Sequence, residues 1–141
     1  MKKILFISFA LSFAFVANAQ VRTMKSATYG LSLDTVTTTT PHYMQLGPIS
    51  MKSKNIEIVA KVLEISGTTS GSVSIEASFD GSVWFSPFNS TDTTYALTLS
   101  DVATAQTYRW KLEGQRATYW RIKAAGGGSV SFTISGTLVT D

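Results

Sequence analysis

Few residues in this chain are suited to catalysis. It has one His, no Cys, and nine Asp and Glu in 141 residues. Without Cys there is no thiol nucleophile, no zinc–Cys cluster and no disulfide framework. His42 stands between Pro41 and Tyr43. A general base needs an orienting carboxylate and a nucleophile, and no elbow or triad motif accompanies this His. It reads as a surface residue. Glu57, Glu64, Glu76 and Glu113 are of the type that flanks a glycosidic bond in hydrolases. Glu76 and Glu113 fall on polar strand faces, where a solvated charge is the ordinary state. Asp80, Asp92 and Asp101 fall in expected turns, where sandwiches place calcium ligands. No Asp-x-Asp pair accompanies them, and Asp is a turn residue in its own right. No phosphate loop or dinucleotide fingerprint occurs. The chain reads as non-enzymatic, without a metal or cofactor.

The aromatic residues offer a different chemistry. The apolar faces of a pyranose match an aromatic ring, so an exposed ring is a stacking platform for sugars. Tyr108, Tyr119 and Trp120 are further candidate rings, while Trp84, Phe85 and Phe88 cluster in a segment broken by Pro87, and Tyr95 follows. These four are the expected ligand or partner residues. Trp110 and Trp120 are expected in the core.

These residues need a scaffold, and the sequence first separates an address from it. Met1-Lys2-Lys3 is a short positive start, Ile4 to Val16 is apolar, and Ala17-Asn18-Ala19 is a small-x-small processing site before Gln20. Together they read as a secretory signal peptide over residues 1–19. The apolar run is too short for a helix across a bilayer core of about 30 Å. Cleavage after Ala19 leaves 122 of the 141 residues, and losing Lys2 and Lys3 takes the formal charge from +3 to +1. The chain is expected to be exported, with no membrane span after processing. A charge this low, with Lys52 and Lys54 as the only local basic cluster, argues against a nucleic-acid partner. It also suits self-association.

The remainder reads as strands and turns. Ser72 to Phe79 alternates, with Val73, Ile75, Ala77 and Phe79 on one face, the period of a half-buried strand. Asp80-Gly81 predicts a tight turn, and Val83 to Phe85 a short return strand ended by Pro87. Tyr108, Trp110 and Leu112 share a face, as do Trp120, Ile122 and Ala124, and Phe132, Ile134, Gly136 and Leu138. Asn55 to Ile65 is apolar on both faces, which fits a central strand, a bulge or a second buried face; Ile58, Val62 and Ile65 also fit helical spacing, but β-branched residues and the Gly67 to Gly71 turn favour a strand. Tyr95 to Leu99 is a further strand, and Ser100 to Gln106 is expected to hold a helical turn capped by Ser100. Residues 20–54 are expected to form an arm and early strands, with Gln20 to Ala27 loose. Residues 55–141 form the core of the same domain. The expected fold is an all-β, jelly-roll-like antiparallel sandwich of about eight strands.

The stretch Gly67 to Trp84, with its Gly/Thr-rich turn, alternating strand and Ser-x-Asp-Gly-x-x-Trp ending, resembles small β-sandwich domains of bacteriophage virions and fibres. Tyr119 to Lys123, the following Gly-rich turn and the last strand resemble the end of the same domains. The resemblance implies a decoration, fibre or adhesion module whose partners are further copies or other surface or virion proteins. It also implies that Trp84 closes one end of the core. The signal peptide departs from that pattern. Two readings follow. One is an exported structural or adhesive subunit that uses residues 20–48 as an arm. The other is a secreted glycan-binding module built on the Trp84–Phe88 loop. Asp34-Thr35-Val36 and Asp92-Thr93-Thr94 resemble an O-glycosylation acceptor pattern of some Gram-negative lineages.

Overall fold

A computed structural model describes residues 19–37, 39–49, 55–87, 96–101, 104–127 and 130–140. Ala17, Phe88, Asp92 and Tyr95 lie outside the described residues. Ten strands occur: β1 (Gln20–Thr23), β2 (Lys25–Ser26), β3 (Asp34–Val36), β4 (His42–Leu46), β5 (Asn55–Gly67), β6 (Gly71–Ser78), β7 (Ala96–Thr98), β8 (Gln106–Glu113), β9 (Tyr119–Gly126) and β10 (Val130–Thr140). Sheet A runs β1-β10-β5-β8, with β3 also on β10, and sheet B runs β2-β4-β9-β6-β7. All these pairings are antiparallel. The protein is an all-β, jelly-roll-like antiparallel sandwich, and its chain passes repeatedly from one sheet to the other.

Period-2 alternation builds the core. Trp120, Ile122 and Ala124 of β9 are fully buried, as are Val73, Ile75 and Ala77 of β6. From the other sheet come Ile58, Ala60 and Val62 of β5 and Phe132, Ile134 and Leu138 of β10, all fully buried. Trp110 joins them at 4% exposure. The Trp120 indole Nε1 donates to the Ala117 carbonyl at 3.1 Å, so this large ring is buried without an unmet donor. β5 is a central strand between β10 and β8. Ser131 faces Ser66 and Phe132 faces Glu64, which leaves Ile65 as the extra residue of a bulge.

Several expectations are corrected. Among the described residues the strands number ten, beside the eight or so expected. The expected loose leader is β1 and β2. Val21 of β1 is 69% exposed, but Met24, where the chain crosses between the sheets, is fully buried. Its backbone N–H donates to the Gly136 carbonyl at 2.8 Å. A Cβ at Gly136 would lie 2.5 Å from Ile122 Cδ1 and 2.9 Å from Met24 Sδ, so the absent side chain is the room Met24 uses. The strands of residues 20–46 thus pair within this same sandwich, β1 and β3 on β10, and β4 on β2 and β9. Phe79 does not continue the inward face of β6. Ser78 is buried instead, and Phe79 is 63% exposed. The return after Asp80-Gly81 is no tight hairpin, because the bridge forms further back, between Ala77 and Phe85. Among the described residues of 100–106 there is no helix. The Gln106 side chain closes that segment, accepting from Ser100 N at 3.0 Å and donating to Ser100 O at 2.7 Å.

If Met24 is a core residue, Met24→Ala loses about 2–5 kcal/mol in urea unfolding. Val21→Ala, on the exposed strand beside it, stays within about 0.5 kcal/mol. Equal, small effects would mean that the first strands do not help close the core.

Candidate functional site

Inward burial of alternate β9 residues turns Tyr119, Arg121 and Lys123 outward onto the open face of sheet B. Register then sets their neighbours. Lys25 faces Gln45, Gln45 faces Arg121, and Arg121 faces Glu76, a row across four strands. Tyr43 and Ser74 flank Lys123 in the next row.

Arg121 organises this face. Its Nε donates to Glu76 Oε2 at 2.6 Å, and its Nη2 meets the same oxygen at 2.5 Å. Lys123 Nζ reaches Glu76 Oε1 at 3.4 Å. The anchored guanidinium lies 4.0 Å from the centroid of the Tyr43 ring and 4.1 Å from that of Trp84. A planar cation over a ring face is attracted by the ring quadrupole. The stack therefore holds a loop residue, Trp84, on the sheet. Trp84 is half-buried on this outer face, and does not close an end of the core.

The loop carrying Trp84 is shaped by Asp80 and Gly81. Gly81 takes φ +79°, a conformation that favours glycine. Asp80 Oδ1 accepts from Ser82 N at 2.8 Å, Val83 N at 3.0 Å and Ser78 Oγ at 2.9 Å, while Oδ2 accepts from Ser82 Oγ at 2.7 Å. These bonds, the Ser82 hydroxyl foremost, hold the exposed Asp80 carboxyl well below the usual carboxylate range. A carboxyl depressed in the folded state stabilises the fold above the ordinary carboxylate range. That contribution is lost as pH falls through the lowered value. Asp80 is thus a turn residue, as expected, with both oxygens in use.

Beside the stack lies a groove of about 870 Å³ lined by Arg22, Lys25, Gln45, Asp80, Trp84 and Tyr119, among others. The Tyr119 ring fits over two glycines. A Cβ at Gly47 would fall 2.2 Å from Tyr119 Cδ1, and one at Gly81 3.2 Å from its Cε1. Phe85 takes no part in this groove. It stacks on Phe79 with centroids 5.3 Å apart and is 38% exposed. Of the four expected ligand residues, the structure places Trp84 at the groove and Phe85 away from it. Tyr119, a further candidate ring, also lines the groove, whereas Tyr43, Gln45 and Arg121 were missed. Tyr119 and Arg121 are outward positions of an alternating strand, and only the register shows what they face.

The acids and His42 find other work. Glu57 pairs with Arg109 at 3.1 Å, and Glu64 accepts from Thr69 Oγ1 at 3.0 Å. Asp101 accepts from Thr69 N at 2.8 Å. His42 is in strand β4, not a surface loop, with Nδ1 3.4 Å from Oδ2 of the buried Asp34. Ser26 Oγ donates to that same oxygen at 2.7 Å. The carboxylate thus stands between hydroxyl and imidazole, whereas a triad puts the imidazole in the middle. This cluster braces β2, β3 and β4. Thr35, of the acceptor-like pattern, is exposed, while Asp34 and Val36 on either side are buried.

A scan against protein-family models returns no match, and neither does a comparison with curated protein sequences. Solved structures do share the fold. A structure described as "CBM4 structure and function" aligns with TM-score 0.52 at 14% identity, covering 86% of this chain and 78% of that one. The CBM22-1 xylan-binding domain of Xyn10C from Paenibacillus barcinonensis aligns at 0.50 and 10% identity, over 88% and 81% of the two chains. The PBSX exported protein XepA aligns at 0.53 and 10% identity, and there this chain covers only 36% of its counterpart. At such identities the likeness is one of fold, a sandwich architecture shared with carbohydrate-binding modules. Among the described residues no helix is long and apolar enough to cross a membrane.

If Arg121 clamps Trp84, Arg121→Ala exposes the one tryptophan of the three that lies outside the core. Iodide quenching of fluorescence should rise, with about 1–2 kcal/mol lost in stability. Unchanged quenching in a folded variant would refute the clamp.

Proposed function

We propose that this protein is an exported carbohydrate-binding module whose ligand lies along the outer face of sheet B and in the adjoining groove. The observation that carries the reading is the Tyr43–Arg121–Trp84 stack beside an open groove of about 870 Å³. Ligand sites combine ring surfaces with a few convergent polar groups, and this volume suits a short oligosaccharide. Trp84 and Tyr119 supply ring surface. Gln45, Lys25 and Arg22 supply hydrogen-bond donors around it. The rings are held by the fold before any ligand arrives, which lowers the ordering cost of binding. The architecture is one on which carbohydrate-binding modules are built, and that accords with the reading. Export rests on the Met1 to Ala19 pattern. β1 opens at Gln20, so processing after Ala19 leaves every described strand intact.

A glycan array followed by calorimetry tests this. Trp84→Ala should weaken binding to the best glycan at least about tenfold, with the melting temperature showing a folded protein. Arg109→Ala, on sheet A, should leave binding within about twofold. No binding to any glycan, or equal loss in both variants, would overturn the proposal.

A further inference from the structure

Charge is divided unevenly between the two sheets. The strands of sheet A carry Arg22, Lys61, Arg109 and Lys111 against Asp34, Glu57, Glu64 and Glu113, an even balance. The strands of sheet B carry Lys25, Arg121 and Lys123 against Glu76 alone. From β1 of sheet A the groove wall also takes Arg22, whose Nη1 donates to the Pro48 carbonyl at 3.3 Å, a neutral partner. Its one acid, Asp80, has both oxygens taken up by its own turn.

Glu76 balances one of the two cations that share it. The cross-strand partner of Lys25 is the neutral Gln45. At about 4.8 Å per strand, Lys25 and Arg121 stand about 10 Å apart across Gln45. That is about the screening length at 0.1 M salt, so the potential of Lys25 overlaps that of the Arg121–Lys123–Glu76 cluster, which keeps one net positive charge. A neutral sugar needs only dipoles and ring faces, and gives this cationic excess no counter-charge. The processed chain is almost neutral overall, which makes the excess on one face a local feature.

From this we infer that the site selects anionic glycans, chains bearing uronate or sulfate groups, over neutral ones. The inference rests on the glycan-binding reading and deepens it. Trp84 and Tyr119 hold the ring of a sugar unit, and Arg22 and Lys25 meet its anionic substituent. Lys123, sharing Glu76 with Arg121, meets the next unit along the sheet. A guanidinium at Arg22 fits the planar carboxylate or the sulfate oxygens with paired donors.

The test is calorimetry on the purified chain with three oligosaccharides of equal length: a neutral xylan fragment, an oligogalacturonate and a sulfated galactan fragment. At 50 mM NaCl at least one acidic chain should bind about fivefold or more tighter than the neutral one. That advantage should shrink to within about twofold at 0.5 M NaCl, where the screening length falls to about 4 Å. The double variant Arg22→Gln, Lys25→Gln removes both charges, keeps a hydrogen-bond donor at each position, and should bring acidic and neutral affinities to within about twofold of each other. The uronate and sulfate arms show which anion is preferred, and either supports the inference. Equal or tighter binding of the neutral chain would overturn it and leave glycan binding standing. Failure of all three would remove the glycan reading as well. An oligonucleotide binding as tightly as the acidic glycans would overturn selection for a sugar.

Discussion

Burial of Trp120, Ile122 and Ala124 fixes β9 between β4 and β6, and the rest of sheet B is set by it. A strand has two faces and a period of two. Once these residues fill the space between the sheets, Tyr119, Arg121 and Lys123 have only the outer face. A slip of one residue would bury a guanidinium and an ammonium and expose the largest ring of the core. The register that closes the core is therefore the register that builds the site. No disulfide contributes, since the chain has no Cys.

The site adds a second constraint, exerted by charge and aromatic geometry. Glu76 holds the Arg121 guanidinium, and the guanidinium in turn lies over two rings, Tyr43 and Trp84. Trp84 comes from a loop that bridges to the sheet at Phe85, and the guanidinium adds a contact at the Trp84 ring itself. Asp80 holds the loop internally, and Gly47 and Gly81 leave the space that the Tyr119 ring occupies. Small residues, a capped turn and one ion pair thus convert a flat sheet into a surface with a defined platform.

What the sequence disclosed follows the same physics. β6, β8, β9 and β10 bury one face and wet the other, so their alternation is visible in the residues themselves. Trp110 and Trp120 sit inside because they share a parity with Leu112 and Ile122. Where that condition fails, legibility fails. β1 exposes all four of its side chains, so it carries no alternation and reads as a loose leader, although Met24 next to it is fully buried. Phe79 continues the apolar parity of β6, but the strand ends at Ser78 and the loop geometry turns its ring outward. Trp84 was identifiable as a candidate from its exposed, Pro-broken setting. Its partners were not, because Tyr43, Arg121 and Glu76 are far apart in sequence and meet only through register.

The most direct measurement of the central claim is a titration of the labelled protein with an oligosaccharide ligand, followed by nuclear magnetic resonance. The three indole N–H signals report one candidate platform and two core rings. The account predicts that the Trp84 indole, the Arg121 Nε–H and the Gln45 side-chain amide shift together as ligand is added, while Trp110 and Trp120 stay in place. Shifts confined to sheet A or to the exposed turn at Tyr29 to Leu33, with Trp84 unmoved, would contradict it.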